Sequence, residues 1–386
     1  MRQVGKKKTL PTLHTTFITH HPLPNRSFKM AFFGVTKEII ASTFPIEKAD
    51  AIEGATLEGS TFEFVIKKEQ FKKGDTVLYF PIDSLIPEWV LEKLGLVGRL
   101  SGKEKNRVKT VRLRGQISQG IVAELELLEG MQMPEGEMDK ETESQYITEF
   151  LGVEKYEAPP VPCKAANLVG LPIGLSAYDI EGADRYVEVA QVLLPQAVEI
   201  TEKLEGQNFS VTYSALNEKI YVNQRNYSIQ PIEGFVHDFW KVAQNNGIIK
   251  FVESLKEAYP GQNITVYGEF IGPGVQSNIY KLKDFDVKLF DIKVNEEWLK
   301  PDIRQSIVKK HFGDMDIHVP ILATNVILEQ WLEGKSFVEA SHAISQLHKT
   351  TREGIVIKPM TESRHEKIGR LVLKQRDPIY LSKTNN

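Results

Sequence analysis

A lysine followed closely by an acid and a glycine is the first feature of this sequence that could do chemistry. Lys203-Leu-Glu205-Gly206 precedes a β-rich segment. A free lysine amine has a pKa of about 10.4, so it is almost wholly protonated at neutral pH and is not a nucleophile. Desolvation, nearby cations or a metal must shift that pKa before the amine can attack. A nucleophilic Lys203 therefore requires cations and metal-binding carboxylates elsewhere in the chain.

The sequence has no phosphate-binding loop of the P-loop type. The nearest candidate, Gly98-Arg-Leu-Ser-Gly102-Lys103-Glu104, is one residue too short. It also has Glu104 where a Ser or Thr would hold magnesium. Any nucleotide chemistry must therefore use a different arrangement.

Four downstream segments supply the required cations and carboxylates in a recognisable order. They are Tyr267-Gly-Glu269, Asp286-Val-Lys-Leu-Phe290-Asp-Ile292, Glu353-Gly-Ile-Val356-Ile-Lys358 and Leu373-Lys374-Gln-Arg376. With the Lys203 segment they resemble motifs I, III, IIIa, IV and V of the covalent nucleotidyltransferase superfamily, which comprises polynucleotide ligases and mRNA capping enzymes. Each motif alone is weak, since Glu-Gly occurs nine times in the chain. The resemblance depends on the ordered set, which spans roughly residues 195–382.

This resemblance implies a reaction with ATP. Lys203 would attack the α-phosphate, form a lysyl-AMP phosphoramidate and expel pyrophosphate. Lys374 would neutralise the α-phosphate in the transition state and help to lower the pKa of Lys203. Arg376 stands where the family usually has a second lysine, which keeps the charge but changes the geometry.

The same resemblance assigns the remaining contacts. Glu269 and Glu353 correspond to the ribose and metal-shell carboxylates, while Phe290 and Val356 correspond to the two faces around adenine. Glu205 replaces the usual aspartate as a third metal carboxylate, and carboxylates combined with phosphates favour Mg²⁺ or Mn²⁺. The implied catalytic residues are Lys203, Glu353 and Lys374. The implied nucleotide-binding residues are Glu202, Glu205, Arg225, Glu269, Phe290, Val356, Lys374 and Arg376. Two alternatives stay open: Phe290 as a core aromatic and Arg225 as a surface residue.

Composition limits the class of protein. The 386 residues, 41% of them hydrophobic, allow two or three globular domains. The longest apolar runs fall far short of the roughly 20 residues that span a bilayer, so no membrane segment is predicted. A single cysteine, Cys163, predicts no disulfide framework and suits a reducing cytoplasm. The nine histidines show no HExxH spacing, which makes a transition-metal site an unfavoured prediction.

Charge is distributed unevenly along the chain. Residues 1–29 hold six cationic residues and no acid, although the net charge is −3. We expect them to form a mobile basic extension. A second basic stretch contains only the acid Glu104 among the cations Arg99, Lys103, Lys105, Arg107, Lys109, Arg112 and Arg114. Such a stripe suits a phosphate backbone, and we predict that Lys109, Arg112 and Arg114 bind RNA. A solvated loop is the alternative.

Secondary-structure patterns predict an α+β protein. Closely spaced apolar runs with Gly, Pro and Asp turns predict a small β-barrel or sandwich over residues 30–125, with one helix over Pro87–Leu94, and the resemblance implies that this domain is OB-like. Residues 126–185 read as an acidic, then Pro-rich linker with a short helix over Glu143–Leu151. Residues 186–386 mix strands with helices, among them a helix over Ser336–Leu347, without regular βαβ spacing, which predicts an α+β domain. The resemblance implies that this is a nucleotidyltransferase domain of antiparallel sheets with flanking helices.

Domain order favours one branch of the superfamily. DNA ligases and capping enzymes carry an OB barrel after motif V, and only ten residues follow Arg376, so we expect none there. An OB-like domain before the catalytic domain resembles RNA ligases of the Deinococcus and Naegleria type. That resemblance implies sealing of RNA 3′-hydroxyl and 5′-phosphate ends at nicks, in RNA repair. The alternatives are a DNA or mixed-duplex ligase, a GTP-dependent capping enzyme, and an inactive RNA-binding protein.

Overall fold

The structure is a computed structural model that describes residues 32–134, 136–157 and 167–383. The basic extension predicted for residues 1–29, Cys163 and the Pro-rich stretch after Glu157 lie outside the described residues. None of the helices described is both long and apolar enough to cross a membrane.

Short strands form the predicted barrel at the N-terminal end. The five-stranded sheet has the order β3-β2-β1-β4-β8. Strand β1 pairs with β4 through its first half and with β2 through its second half, and a bulge between Ile40 and Ser42 bends it between the two. The strands are β1 Thr36–Pro45, β2 Ile52–Leu57, β3 Glu63–Lys67, β4 Thr76–Phe80, β5 Ser84–Leu85, β6 Thr110–Leu113, β7 Gln116–Gln119 and β8 Ile121–Ala123.

Strands β6 and β7 form a hairpin beside β3. Leu113 pairs with Gln116, so the turn consists of Arg114 and Gly115, which have φ angles of 50° and 88°. Two positive φ angles match the twist of the flanking strands. The backbone N–H of Val65 in β3 donates to Ser118 Oγ at 3.1 Å and holds the hairpin against the sheet. This turn therefore projects Arg114 from the tip.

Two helices pack on this barrel, α1 Glu88–Leu94 and α2 Lys140–Leu151. Asp139 caps α2 by accepting from Thr142 N–H at 2.7 Å. Ile147 and Leu151 are buried in one cluster with Phe80. The helix predicted within the linker is therefore part of the barrel's core, while the domain limits at residues 125 and 186 stay predictions.

The C-terminal part contains two larger sheets. One has the order β10-β15-β14-β13-β16-β17-β18 and the other β11-β23-β20-β12-β19. Strand β9 Glu154–Lys155 pairs with β5 beside the barrel. The strands of the C-terminal part are β10 Asn167–Gly170, β11 Glu181–Gly182, β12 Ala197–Lys203, β13 Gln207–Ser214, β14 Lys219–Asn223, β15 Tyr227–Gln230, β16 Ile264–Ile271, β17 Asp286–Val294, β18 Glu297–Trp298, β19 Ile321–Ile327, β20 Gly354–Pro359, β21 Arg364–His365, β22 Gly369–Arg370 and β23 Leu373–Arg376. The predicted α+β class is confirmed.

Helices cover the sheets with their apolar faces. Phe251 of α5 and Phe239 of α4 share the core of the seven-stranded sheet, and Leu193 of α3 and Leu328 of α7 share that of the other. The helices are α3 Val187–Leu193, α4 Asp238–Asn245, α5 Ile248–Ala258, α6 Pro301–Phe312, α7 Leu328–Leu332, α8 Phe337–Ser341 and α9 Pro378–Lys383.

One predicted helix is too long. The pattern predicts a helix over Ser336–Leu347, but α8 ends at Ser341. The guanidinium of Arg352 donates to the carbonyls of Ser341 at 2.9 Å and Ala340 at 2.6 Å. Those carbonyls lie in the last turn, where a helix has no internal donors for them. A distant side chain therefore ends α8, which local periodicity does not reveal.

Candidate active site

Lys203 lies at the end of β12, next to the short connection that leads into the other sheet at Gln207. Its Nζ is 2.6 Å from Glu353 Oε1, and the two side chains are 23% and 12% exposed. Lys203 pairs with Gly354 across the β12–β20 ladder. The amine and its carboxylate partner are therefore held by neighbouring positions of one antiparallel pair.

Glycine is required at two positions beside this pair because the backbones approach closely. A Cβ at Gly206 would lie 2.6 Å from both the carbonyl oxygen of Phe270 and Cγ of Glu269. A Cβ at Gly354 would lie 2.1 Å from the carbonyl oxygen of Gln375. Two of the three glycines of the ordered motifs, Gly206 and Gly354, thus have a steric reason.

Glu269 enters the site from β16, where it pairs with Asn208 just after the Lys203 segment. Burial raises the pKa of Glu269 to about 8; the Lys203 cation opposes this shift and the Glu353 carboxylate adds to it. When two carboxylates lie close to each other, protonation of one of them is favoured until a cation binds.

The cations of the last motif come from β23. Lys374 pairs with Val356, and Arg376 pairs with Gly354, on the strand beside β20. Burial lowers the pKa of Lys374 to about 8; Asp179 opposes the shift, whereas Arg376 and Lys203 add to it. The Asp179 carboxylate therefore neutralises only part of the positive charge of Lys374, Arg376 and Lys203.

These residues surround one cavity of about 620 Å³. Nine of the predicted site residues line it: Glu202, Lys203, Arg225, Glu269, Phe290, Glu353, Val356, Lys374 and Arg376. Glu202 is buried there, and burial raises its pKa. Its Oε2 accepts from the N–H of Gln346 at 2.9 Å, while its Oε1 is buried with no hydrogen-bond partner among the described residues.

Glu205 does not join them. Its Oε1 accepts from the N–H groups of Ser277 at 2.9 Å and Ile279 at 3.4 Å, and its Oε2 accepts from the hydroxyl of Tyr380. The Glu205 N–H donates to Tyr280 Oη at 2.7 Å. Glu205 therefore anchors α9 and the 277–280 loop to the Lys203 turn, and its metal and nucleotide roles stay predictions.

Within residues 32–134, 136–157 and 167–383, no three or more His, Cys, Asp or Glu side chains are gathered so that they could hold a metal ion. The predicted trio of Glu205, Glu269 and Glu353 thus does not form one cluster. Glu269 and Glu353 do face the same cavity, and carboxylate oxygens completed by phosphate oxygens suit Mg²⁺ or Mn²⁺.

Phe290 lines the cavity from β17 and belongs to a ring cluster. The centroid of Tyr178 lies 4.9 Å from that of Phe290 and 5.1 Å from that of Tyr267. The hydroxyl of Tyr178 donates to Asp291 Oδ2 at 2.7 Å. Asp291 is fully buried, and because its neighbours include Lys358 at 3.1 Å and Arg370 at 2.7 Å, its pKa is held well below the usual range despite burial.

Sequence reasoning missed Tyr178 and Asp179, which precede the matched motifs. Asp179 Oδ2 lies 2.9 Å from the Arg225 guanidinium, and Asp179 Oδ1 lies 3.9 Å from Lys374 Nζ. A second cavity of about 1020 Å³, between the barrel and the C-terminal part, is also lined by Asp179, Arg225, Lys374 and Arg376. Asp179 can be recognised as a site residue only after the fold places it beside these two cations, which are candidates for binding phosphate.

The predicted RNA-binding residues lie on the barrel. Arg112 and Arg114 are exposed on the β6–β7 hairpin, which contacts α9. Lys109 is half-buried, and burial lowers its pKa, as does Arg107. Arg107 itself pairs with Asp83 at 2.6 Å and lies 3.4 Å above the ring of Tyr156, so it is not a free member of the stripe.

Comparisons with known proteins match the chain to RNA ligases. Residues 196–376 match the RNA ligase family model, and residues 35–125 match an OB-fold domain model. A mutant of Naegleria gruberi RNA ligase with ATP and Mn has a TM-score of 0.73 and 29% identity, covering 90% of this chain and 98% of that chain. An apo mutant gives 0.72 and 28%, covering 90% and 97%. The same enzyme with PPi gives 0.71 and 29%, covering 90% and 98%.

Residues 196–376 therefore form an RNA ligase domain, and the chain is an RNA ligase. More narrowly, it is an RNA ligase with an OB-fold domain ahead of the ligase domain. The predictions of enzyme class, family and N-terminal barrel are confirmed.

Proposed function

We propose that this protein joins RNA 3′-hydroxyl and 5′-phosphate ends with ATP, through lysyl-AMP and RNA-adenylate intermediates. One observation carries the proposal: the Lys203 amine, 2.6 Å from Glu353, faces a cavity that Glu269, Lys374 and Arg376 also line. A nucleophile, carboxylates and two cations around one cavity meet the needs of nucleotidyl transfer.

In the first step the Lys203 amine attacks the α-phosphorus of ATP. An Nζ–P bond forms, the bond from the α-phosphorus to the bridging oxygen breaks, and pyrophosphate leaves. The ammonium must first lose a proton, and Glu353 Oε1 is the carboxylate oxygen in hydrogen-bond contact with it. Lys374 and Arg376 stabilise the charge that builds on the phosphate oxygens.

Glu269 and Glu353 are the residues that would hold Mg²⁺ or Mn²⁺ together with the phosphates. The raised pKa of Glu269 fits this role, because a divalent cation would stabilise its ionised form. When bound, the ion would neutralise phosphate charge and favour the unprotonated lysine.

Adenine would lie between Phe290 and Val356, which line the same cavity. Within the part of the chain that the structure describes, the buried Oε1 of Glu202 has no donor, and an exocyclic amino group can satisfy it. GTP presents a carbonyl oxygen at the equivalent position, so ATP is favoured. Arg225 would contact ribose or the RNA end.

The second and third steps use the same cations. An oxygen of the RNA 5′-phosphate attacks the lysyl-AMP phosphorus and Lys203 leaves. The RNA 3′-hydroxyl then attacks the 5′-phosphorus, loses its proton, and AMP leaves. Lys109, Arg112 and Arg114 would dock the RNA backbone through charge. Nicked duplex RNA is the expected substrate, in RNA repair, and a reducing cytoplasm suits the single cysteine.

The decisive experiment incubates the protein with ATP labelled on its α-phosphate and magnesium. Wild type and Lys349→Ala, an exposed lysine, should retain label on the protein, whereas Lys203→Ala should retain none. Label on Lys203→Ala would move the nucleophile elsewhere. Nicks with a ribose or a deoxyribose at the 3′ end then separate an RNA ligase from a DNA ligase.

A further inference from the structure

Asp179 has an unusual position in the site. Two acids line both cavities, Asp83 and Asp179, among the described residues. Asp83 pairs with Arg107, a residue of the barrel, at 2.6 Å. Asp179 pairs with Arg225 at 2.9 Å and Lys374 at 3.9 Å, and each of these cations also lines both cavities. The Asp179 carboxylate therefore lies where the two cavities meet, between cations suited to phosphate.

The Asp179 ion pairs are a weak match for these cations. Lys203 has its own carboxylate partner in Glu353, whereas Arg225 and Lys374 share the single carboxylate of Asp179, 3.9 Å from Lys374. Burial and the neighbouring cations keep the pKa of Lys374 lowered although Asp179 is present. A triphosphate or pyrophosphate carries several negative charges and would pair with this cluster far better than one carboxylate does.

Asp179 is also placed so that it can leave. Its side chain is 26% exposed and that of Arg225 is 44% exposed, and exposed ion pairs are worth little. The preceding residue, Tyr178, is fixed by its hydrogen bond to Asp291 and by its ring contacts. The side chain of Asp179 can therefore turn away from the cations without displacing the loop that carries it.

We propose that Asp179 is an internal competitor for phosphate: its carboxylate occupies the Arg225–Lys374 anion site between turnovers and is displaced by the phosphates of the substrate. The inference rests on the proposed function, because that function gives these cations to the nucleotide. Displacement costs part of the binding energy of every phosphate ligand. While no nucleotide is bound, the Asp179 carboxylate neutralises the two cations and so reduces the binding of unrelated anions.

The test compares wild type, Asp179→Asn and Glu366→Gln in full-length protein. Asp179→Asn keeps the side-chain size and removes the charge. Glu366→Gln removes an exposed charge that lines only the larger cavity and forms no ion pair with any described residue. Two measurements are needed: KM and kcat for ATP in lysine adenylation, and pyrophosphate binding from the shift of Tm in a pyrophosphate titration.

The expected result is an about fivefold lower KM for ATP and an about fivefold tighter binding of pyrophosphate for Asp179→Asn, with kcat within about twofold. Glu366→Gln should match wild type. An unchanged or raised KM, weaker pyrophosphate binding, or equal effects of both variants would overturn the proposal; a raised KM with lower kcat would instead make Asp179 a positioning residue for Arg225 and Lys374. If wild type forms no lysyl-AMP, the proposed function fails, while the pyrophosphate titration still decides the competitor role.

Discussion

The Nζ of Lys203 lies 2.6 Å from Oε1 of Glu353, and Gly354, the residue after that glutamate, is the ladder partner of Lys203. Strand pairing thus holds the amine against a carboxylate, and this contact does not depend on the conformation of a long loop. The roles of this pair and of the residues around it can each be tested by a separate measurement.

Glu353→Gln should slow lysine adenylation by about 100-fold, because the amide keeps the size of the side chain but cannot take the lysine proton. Single-turnover adenylation with labelled ATP measures the rate, and Glu366→Gln is the charge-matched control. A rate like that of wild type would mean that the proton leaves by another route.

Phe290→Leu should raise the KM for ATP by roughly tenfold, because the apolar volume remains but the aromatic face for adenine is lost. Phe290→Tyr keeps that face and should stay close to wild type. Adenylation kinetics over a range of ATP concentrations measure both. If Phe290 is only a core residue, the leucine variant will bind ATP normally.

Glu269 should make the protein less stable as pH rises. The pKa of Glu269 in the folded protein is about 8, against a reference value of 4.5. At a pH between these two values the folded state retains a proton that the unfolded state has lost. The stabilisation is present in full below the unfolded pKa and is lost as pH rises through the folded pKa. Urea unfolding in metal-free buffer, from about pH 5 to pH 8, should show wild type losing stability relative to Glu269→Gln. Parallel curves would contradict the shifted pKa.

Arg112→Ala with Arg114→Ala should weaken sealing of nicked RNA by roughly tenfold and spare lysine adenylation, because these residues lie on the barrel hairpin. RNA affinity should lose about two units of slope against log salt if each arginine contacts one phosphate. Lys72→Ala with Lys73→Ala, two exposed cations of the same domain, is the control. Equal loss of adenylation and sealing would exclude a role limited to docking.

Tyr380→Phe should cost about 1–3 kcal/mol of stability, because it removes a donor from the buried carboxylate of Glu205. A double-mutant cycle with Glu205→Gln measures the coupling from denaturant midpoints. Purely additive costs would mean that this hydrogen bond does not link α9 to the Lys203 turn.

The ordered motifs predicted much of the candidate site because their residues lie in or beside strands that the fold brings together. Lys203, Glu269, Glu353 and Lys374 line one cavity although they are distant in sequence. Tyr178 and Asp179 could not be predicted in this way, since their partners Asp291, Arg225 and Lys374 become neighbours only in three dimensions. Glu205 is the opposite case: its motif position predicts a metal ligand, but both of its carboxylate oxygens accept hydrogen bonds from structural partners. The end of α8 depends likewise on the distant Arg352.

The register of β12 against β20 determines where the chain can change in length. Because side chains alternate between the faces of a strand, inserting or deleting one residue within Ala197–Lys203 or Gly354–Pro359 would turn either the amine or its carboxylate out of the cavity. Length variants should therefore fail in both strands.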